Sequence, residues 1–222
     1  MNVELLTEIG PGFVLPALVV AAIAYFCGCF NGAVIVSKYI LRDDVRKHGS
    51  GNAGLTNFYR TFGGPLTLVV ILTDVLKAIV AVWVGILAAK YFVLDDALVI
   101  ALGKYWAGTF CLIGHMFPCM FQFKGGKGIL SGGTIAIMMD WRVALVVWGG
   151  FLVLAIITKW VSLGSCWAGL SFPFVSWFVY QDVVILLLAI VCGGLILWKH
   201  RGNMKRILKG EESKFSFHHK KS

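Results

Sequence analysis

Long apolar stretches dominate this chain of 222 residues, and they leave little choice of surroundings. They run over residues 13–41, 65–94, 97–123, 129–139, 143–158, 163–180 and 183–198. A helix needs roughly 20 apolar residues to cross a bilayer. Most of these stretches meet that length. The fourth is short and opens on glycines. Lipid offers backbone groups no water, so the stretches must be helices that satisfy their own N–H and C=O groups. Hydrophobic residues make up 59% of the chain and charged residues 14%, against about 25% charged in a soluble domain. The reading is an all-α integral membrane protein of about seven transmembrane helices, forming one polytopic domain over residues 1–222. No cleavable signal is expected, because Glu4 and Glu8 stand where a basic n-region would be. The end from about residue 215, with His218, His219, Lys220 and Lys221, reads as a frayed, lipid-facing end, with a tag remnant as the alternative.

Seven crossings put the termini on opposite sides, and Lys/Arg positions orient them. With the N-terminus outside, the inner face collects Lys38, Arg42, Arg46, Lys47, Arg60, Lys124, Lys127, Lys159 and the basic C-terminal stretch. The outer face keeps little beyond Lys90 and Arg142, and its turns carry Asp95, Asp96, Asp140 and Asp182. The expected topology is therefore N-terminus outside and C-terminus cytoplasmic. The net charge of +9 then points to anionic headgroups and anionic substrates, not to nucleic acid. Cysteines 27, 29, 111, 119, 166 and 192 lie in or beside apolar segments and read as small apolar residues. No metal site is expected.

Three polar clusters fall on the cytoplasmic side of this topology: Arg46 to Arg60, the stretch from Gly114 to Gly133, and Lys199 to Lys214. In the second, residues 123–133 hold five glycines and two lysines. Glycine lets backbone N–H groups converge on an anion, and a following helix N-terminus adds a positive field. Lys124-Gly125-Gly126-Lys127-Gly128 therefore reads as a phosphate cradle. It is not a Walker A loop, so nucleotide hydrolysis has no support. The blander reading is a positive-inside loop with glycine turns.

In the first cluster, Ser50 and Arg60 suit ligand contact. Asn52, Thr56 and Asn57 offer hydrogen bonds, and capping of the next helix is favoured for at least one of Thr56 and Asn57. His115, beside a glycine at a helix end, reads as a structural hydrogen-bonder, and His48 as a solvated loop residue. His200 and Asn203 share a helix face and suit orientation of a substrate hydroxyl. Asp74 and Lys77 are intramembrane charges, either a self-paired structural couple or a support for the site. Lys104 is expected to snorkel outward.

These residues carry a resemblance. Gly49-Ser50-Gly51-Asn52-Ala53-Gly54-Leu55-Thr56-Asn57 with Arg60 resembles the first motif of the bacterial acyl-phosphate:glycerol-3-phosphate acyltransferases, the PlsY family. Gly114-His115-Met116-Phe117-Pro118 with Phe123 to Gly128 resembles the second. His200-Arg201-x-Asn203-x-x-Arg206, followed by Gly210-Glu211, resembles the third. Trp160-Val161-Ser162-Leu163 is similar to a short stretch whose serine lies near substrate phosphate.

The resemblance implies a seven-helix enzyme of the bacterial inner membrane with its active site facing the cytoplasm and no cofactor. It would move a fatty acyl group from acyl phosphate to the 1-hydroxyl of glycerol 3-phosphate, giving lysophosphatidate and phosphate. Ser50, Arg60, His200 and Asn203 would be catalytic. Lys124, Gly125, Gly126, Lys127, Gly128, Ser162, Asn52, Thr56 and Asn57 would bind substrate phosphate. His115, Arg206 and Glu211 would support the site, with Glu211 holding the third motif together. Two departures stand out: Gly28-Cys29 where the family often has Gly-Ser, and Ile129-Leu130-Ser131 where it prefers Val-Ala-Thr.

An acyl phosphate is already activated, so positioning and charge stabilisation matter more than a nucleophile. No serine or cysteine has a convincing adjacent base, which disfavours an acyl-enzyme. The base for the glycerol hydroxyl is either His200 or a phosphate oxygen. Two rivals remain, a membrane carrier for an organic phosphate and an acyltransferase using acyl-CoA or acyl carrier protein. The polar groups gather at one boundary without an internal repeat, which counts against the carrier. No histidine has an aspartate five positions later, which counts against the second.

Overall fold

The structure is a computed structural model that describes residues 11–93 and 96–215. The expectations for Glu4, Glu8, Asp95 and the tail beyond Phe215 lie outside those residues. The described residues form ten α-helices and no strand. In chain order these are α1 (Val14–Cys29), α2 (Gly32–Ile35, extended by a π turn over Val36–Ile40), α3 (Leu55–Thr61), α4 (Leu66–Phe92) and α5 (Ala97–Met116). After them come α6 (Ile129–Met139), α7 (Trp141–Thr158), α8 (Val161–Tyr180), α9 (Val183–Lys199) and α10 (Arg201–Leu208).

Three helices are long and apolar enough to cross a membrane: Leu66–Phe92, Ala97–Phe121 and Trp141–Thr158. Two bent pairs, α1 with α2 at 43° and α9 with α10 at 53°, bring the number to five if each pair is one span. The shortfall from seven has local causes. The first apolar stretch breaks at Phe30-Asn31, where Asn31 caps α2 by accepting a bond from the Val34 N–H at 3.1 Å. The α6 helix has 11 residues. The 20-residue α8 carries Pro173 and several serines and glycines.

Outward faces are apolar as lipid demands: Ile156, Ile157 and Phe178 are each more than two-thirds exposed. Inward, glycine replaces bulk. A Cβ on Gly28 of α1 would stand 2.1 Å from the Cys111 carbonyl oxygen, and one on Gly114 of α5 would stand 2.1 Å from that of Tyr25. The α1 and α5 backbones therefore touch, which is how helices associate where no hydrophobic effect drives them together.

Asp96, Asp140 and Asp182 cap the N-termini of α5, α7 and α9. The sequence singled them out only as acidic turns. Each accepts backbone N–H bonds that a helix start leaves open. The opposite ends of α5 and α9 lead into the second and third polar clusters, and that of α7 into the stretch that carries Trp160 and Ser162, so these caps stand at the end of the bundle away from the site.

Candidate active site

The first cluster is held by its own side chains. Asp44 accepts from the Arg46 N–H at 3.0 Å, and the Arg46 guanidinium returns to Asp44 at 2.7 Å. That contact holds the Asp44 carboxyl below its usual range. Arg46 also donates to the Phe121 and Lys124 carbonyls at 2.9 and 3.3 Å, tying the first cluster to the glycine loop. Buried Asn57 accepts from the Ser50 N–H at 3.0 Å and faces the carbonyls of Val45, His48 and Asn52 as a donor. Capping of α3 by a side chain, expected of Thr56 or Asn57, does not occur. The cap position is Gly54, without a side-chain bond, and Asn57 instead knits the loop before the helix.

The glycine loop also differs from its expectation. The Gly125 and Gly126 N–H groups donate to the Met116 and His115 carbonyls, both at 3.2 Å. They satisfy the last carbonyls of α5 and are not available to a phosphate. Both glycines are required by close approach. A Cβ at Gly125 would lie 2.1 Å from the His115 carbonyl oxygen, and one at Gly126 would lie 2.3 Å from His115 Nε2. What remains for an anion is the opening turn of α6, whose first N–H groups have no intrahelical partner, together with Lys127. The left-handed Gly128, at φ +78°, makes the turn into that helix.

In the third cluster, Glu212 is the hub. Its Oε1 accepts from Ser162 Oγ and Asn203 Nδ2, each at 2.7 Å, and its Oε2 accepts from Arg206 Nε at 2.8 Å. Trp160 Nε1 donates to its carbonyl at 3.2 Å. Burial pushes this carboxyl up, but the bonds from Asn203, Ser162 and Arg206 together outweigh burial and hold it below its usual range. Lys127 Nζ donates to Asn203 Oδ1. Burial, with Arg206 nearby, pushes the Lys127 ammonium down to about 8. Arg60 donates to Ser213 Oγ at 3.0 Å. His200 donates through Nδ1 to the Ile196 carbonyl at 2.8 Å, which leaves Nε2 as its lone-pair nitrogen.

These groups surround one cavity of about 1250 Å³. A family model described as glycerol-3-phosphate acyltransferase matches residues 18–210. The chain belongs to the glycerol-3-phosphate acyltransferase family. A glycerol-3-phosphate acyltransferase of Thermoanaerobacter pseudethanolicus is 34% identical over 198 residues, covering 89% of this chain and 95% of that one. One of Finegoldia magna is 32% identical over 200 residues, with the same coverage. Among solved structures, the integral membrane glycerol 3-phosphate acyltransferase PlsY in its glycerol 3-phosphate form aligns with TM-score 0.78 at 32% identity, over 90% of this chain and 96% of that one. Its lysophosphatidic acid form aligns with TM-score 0.74 at the same identity, over 90% and 95%.

In this acyltransferase the cavity wall includes Ser50, Asn52, Thr56, Asn57 and Arg60 from the first cluster, and His115, Lys127 and Gly128 from the second. It also includes Ser162, His200, Asn203 and Arg206. Lys124, Gly125, Gly126 and Glu211 are not part of the wall. Lys124 and Glu211 are both exposed. The third motif is held by Glu212, not Glu211. The α10 helix ends with the Glu211 N–H on the Arg206 carbonyl at 2.8 Å and the Gly210 N–H on that of Ile207 at 3.0 Å. This paired C-terminal turn, with Gly210 at φ +72°, directs one residue out and the next one in.

Of the departures, Cys29 is fully buried beside the Gly28 contact. Ser131 donates to the Asp74 carbonyl at 3.2 Å, so its hydroxyl ties α6 to α4. Asn31 was missed by the sequence reading, and its Nδ2 donates to the Ala53 carbonyl at 3.0 Å. An asparagine followed by glycine within an apolar stretch was the available signal of a helix restart. No cluster of metal-ligating side chains occurs among the described residues.

Proposed function

We propose that this acyltransferase takes its acyl group from acyl phosphate and delivers it to the 1-hydroxyl of glycerol 3-phosphate, producing lysophosphatidate and phosphate. One observation carries the reading: Arg60, Lys127 and Arg206, from three separate motifs, line one cavity with Ser162 and Asn203. That is cationic and hydrogen-bonding capacity suited to two phosphoryl groups. The α6 N-terminus adds its dipole to the same space.

In the reaction the glycerol oxygen bonds to the acyl carbon, and the bond from that carbon to the phosphate oxygen breaks. Phosphate departs with the electron pair. The hydroxyl proton ends on phosphate, passed directly or through His200 Nε2. Holding both substrates supplies proximity, and the cationic wall offsets charge on the leaving group. The acyl tail lies among the helices, in line with a narrow apolar cleft that shares Ile129, Trp148 and Phe151 with the cavity.

The proposed setting is a bacterial inner membrane, with seven crossings, N-terminus outside and the cavity facing the cytoplasm. The basic wall of the cavity supports this orientation, because Lys and Arg gather on the cytoplasmic side of membrane proteins. Purified protein offered acyl phosphate, acyl-CoA and acyl carrier protein conjugates separately, with labelled glycerol 3-phosphate, tests the donor. Turnover with acyl phosphate alone is expected, and turnover only with a thioester would overturn it.

A further inference from the structure

A buried ionic cluster adjoins the cavity but binds no phosphate in the reading above. Lys77 Nζ donates to Asp74 Oδ1 at 2.6 Å, to the Phe30 carbonyl at 3.0 Å and to His115 Nδ1 at 2.7 Å. An ammonium has three protons and no acceptor, so all three are used. Nδ1 of His115 must therefore accept, and the proton of the neutral ring sits on Nε2. His115 is 2% exposed and belongs to the cavity wall. Its Nε2 has no hydrogen-bond partner among the described residues. Gly126 keeps that nitrogen clear, since a Cβ there would stand 2.3 Å away. Held this way the ring has no free lone pair and cannot serve as a base. It is a donor on a residue that borders the cavity.

Its place on α5 narrows the choice of acceptor. Leu112, one turn earlier on the same helix, lines the apolar cleft with Gly132, Ala136 and Phe172. His115 lines the polar cavity. The helix face thus passes from cleft to cavity between these two residues. An activated acyl donor has one group with hydrocarbon on one side and its polar leaving group on the other, and that is its carbonyl.

We propose that His115 Nε2–H is a further catalytic residue, donating the hydrogen bond that stabilises the acyl carbonyl oxygen as negative charge develops on it. Lys77 and Asp74 are its positioning residues. As the glycerol oxygen adds, the carbonyl π pair moves onto oxygen, where the Nε2–H bond meets it. The pair returns as phosphate leaves, and His115 keeps its proton throughout. A donor preset at the developing oxyanion needs no rearrangement at the moment of reaction. The inference rests on the acyl-transfer reading but not on the leaving group, because thioester donors carry the same carbonyl.

Two measurements on the full chain in lipid nanodiscs test it. Nitrogen-15 spectra of the histidines should show His115 neutral, protonated at Nε2 and unprotonated at Nδ1. A 16-carbon acyl donor of whichever kind the wild type uses should move its Nε2 signal, and glycerol 3-phosphate alone should not; no response to that donor also overturns the proposal. A charged ring, an Nδ1–H tautomer, or a response to glycerol 3-phosphate alone overturns the proposal, even if variants misfold. Kinetics with whichever donor the wild type uses should show His115→Leu lowering kcat about 100-fold, with the glycerol 3-phosphate KM within roughly 3-fold. His115→Gln, which keeps an N–H near the Nε2 position, should recover much of the loss. Equal loss in both variants, or a change in KM alone, sinks it. A wild type active only with thioesters would revise the donor and leave this test intact.

Discussion

Two ionic assemblies border the same cavity and are built on opposite plans. Around Glu212, the carboxylate collects Ser162, Asn203 and Arg206 at a partly open edge, and Lys127 leans on Asn203. Around Lys77, the side chains of Asp74 and Lys77 are 2% and 4% exposed and no proton of the ammonium is spare. In the first assembly Ser162, Asn203, Arg206 and Lys127 line the cavity, and the Arg206 side chain is 43% exposed; these are the groups an incoming phosphate would recruit in the proposed reaction. The second has none to give except through His115. One is arranged for exchange of partners, the other for permanence, and mutations should separate them by which quantity moves.

The largest effect is expected at the dry assembly. Lys77→Met leaves the Asp74 carboxylate buried and unpaired, and breaking one side of a buried pair costs about 3–5 kcal/mol. Thermal unfolding in detergent should show a large drop. The double variant Asp74→Asn with Lys77→Met should recover part of it. Equal destabilisation of single and double variants would mean that the pairing is not what matters.

At the open assembly the effect should fall on binding. Lys127→Ala removes a charge-assisted contact of about 1.5–3 kcal/mol, so the glycerol 3-phosphate KM should rise roughly 10- to 100-fold. Thermal stability should change little. An unchanged KM would remove Lys127 from the phosphate site. Smaller again, Glu212→Gln weakens the hub by about 1 kcal/mol, and Glu211→Gln should match wild type in activity. The reverse order would overturn the assignment of the hub.

The mildest probe is pH. Burial pushes Lys127 down to about 8, so the free enzyme loses this positive charge as pH rises through that value. The kcat/KM for glycerol 3-phosphate should be highest below pH 8 and fall severalfold above it. Lys127→Arg, whose cation does not titrate there, should flatten that limb if it retains activity.

The three motifs were legible as motifs, and the residues that line the cavity are largely those their spacing singled out. What sequence reading misplaced depends on backbone bonds that leave no mark in composition. Gly125 and Gly126 look like an anion cradle until the carbonyls at the end of α5 are seen to occupy their N–H groups. The hub slips from Glu211 to Glu212 because the turn at Gly210 decides which neighbour faces inward. The break at Asn31 hides inside an apolar stretch, where hydropathy averages over a single cap. Asp74 and Lys77 were visible as a pair, but their third partner, His115, lies 38 residues away from Lys77 along the chain and only the packing of α4 on α5 reveals it.

The brevity of α6 has a consequence of its own. Its 11 residues rise about 16 Å, roughly half the hydrocarbon thickness of a bilayer. In the proposed orientation the opening turn beside Lys127 therefore begins below the membrane surface. A water-soluble reactant can descend from the cytosol while a greasy one drifts in sideways within its leaflet. Neither has to leave the phase in which it is supplied.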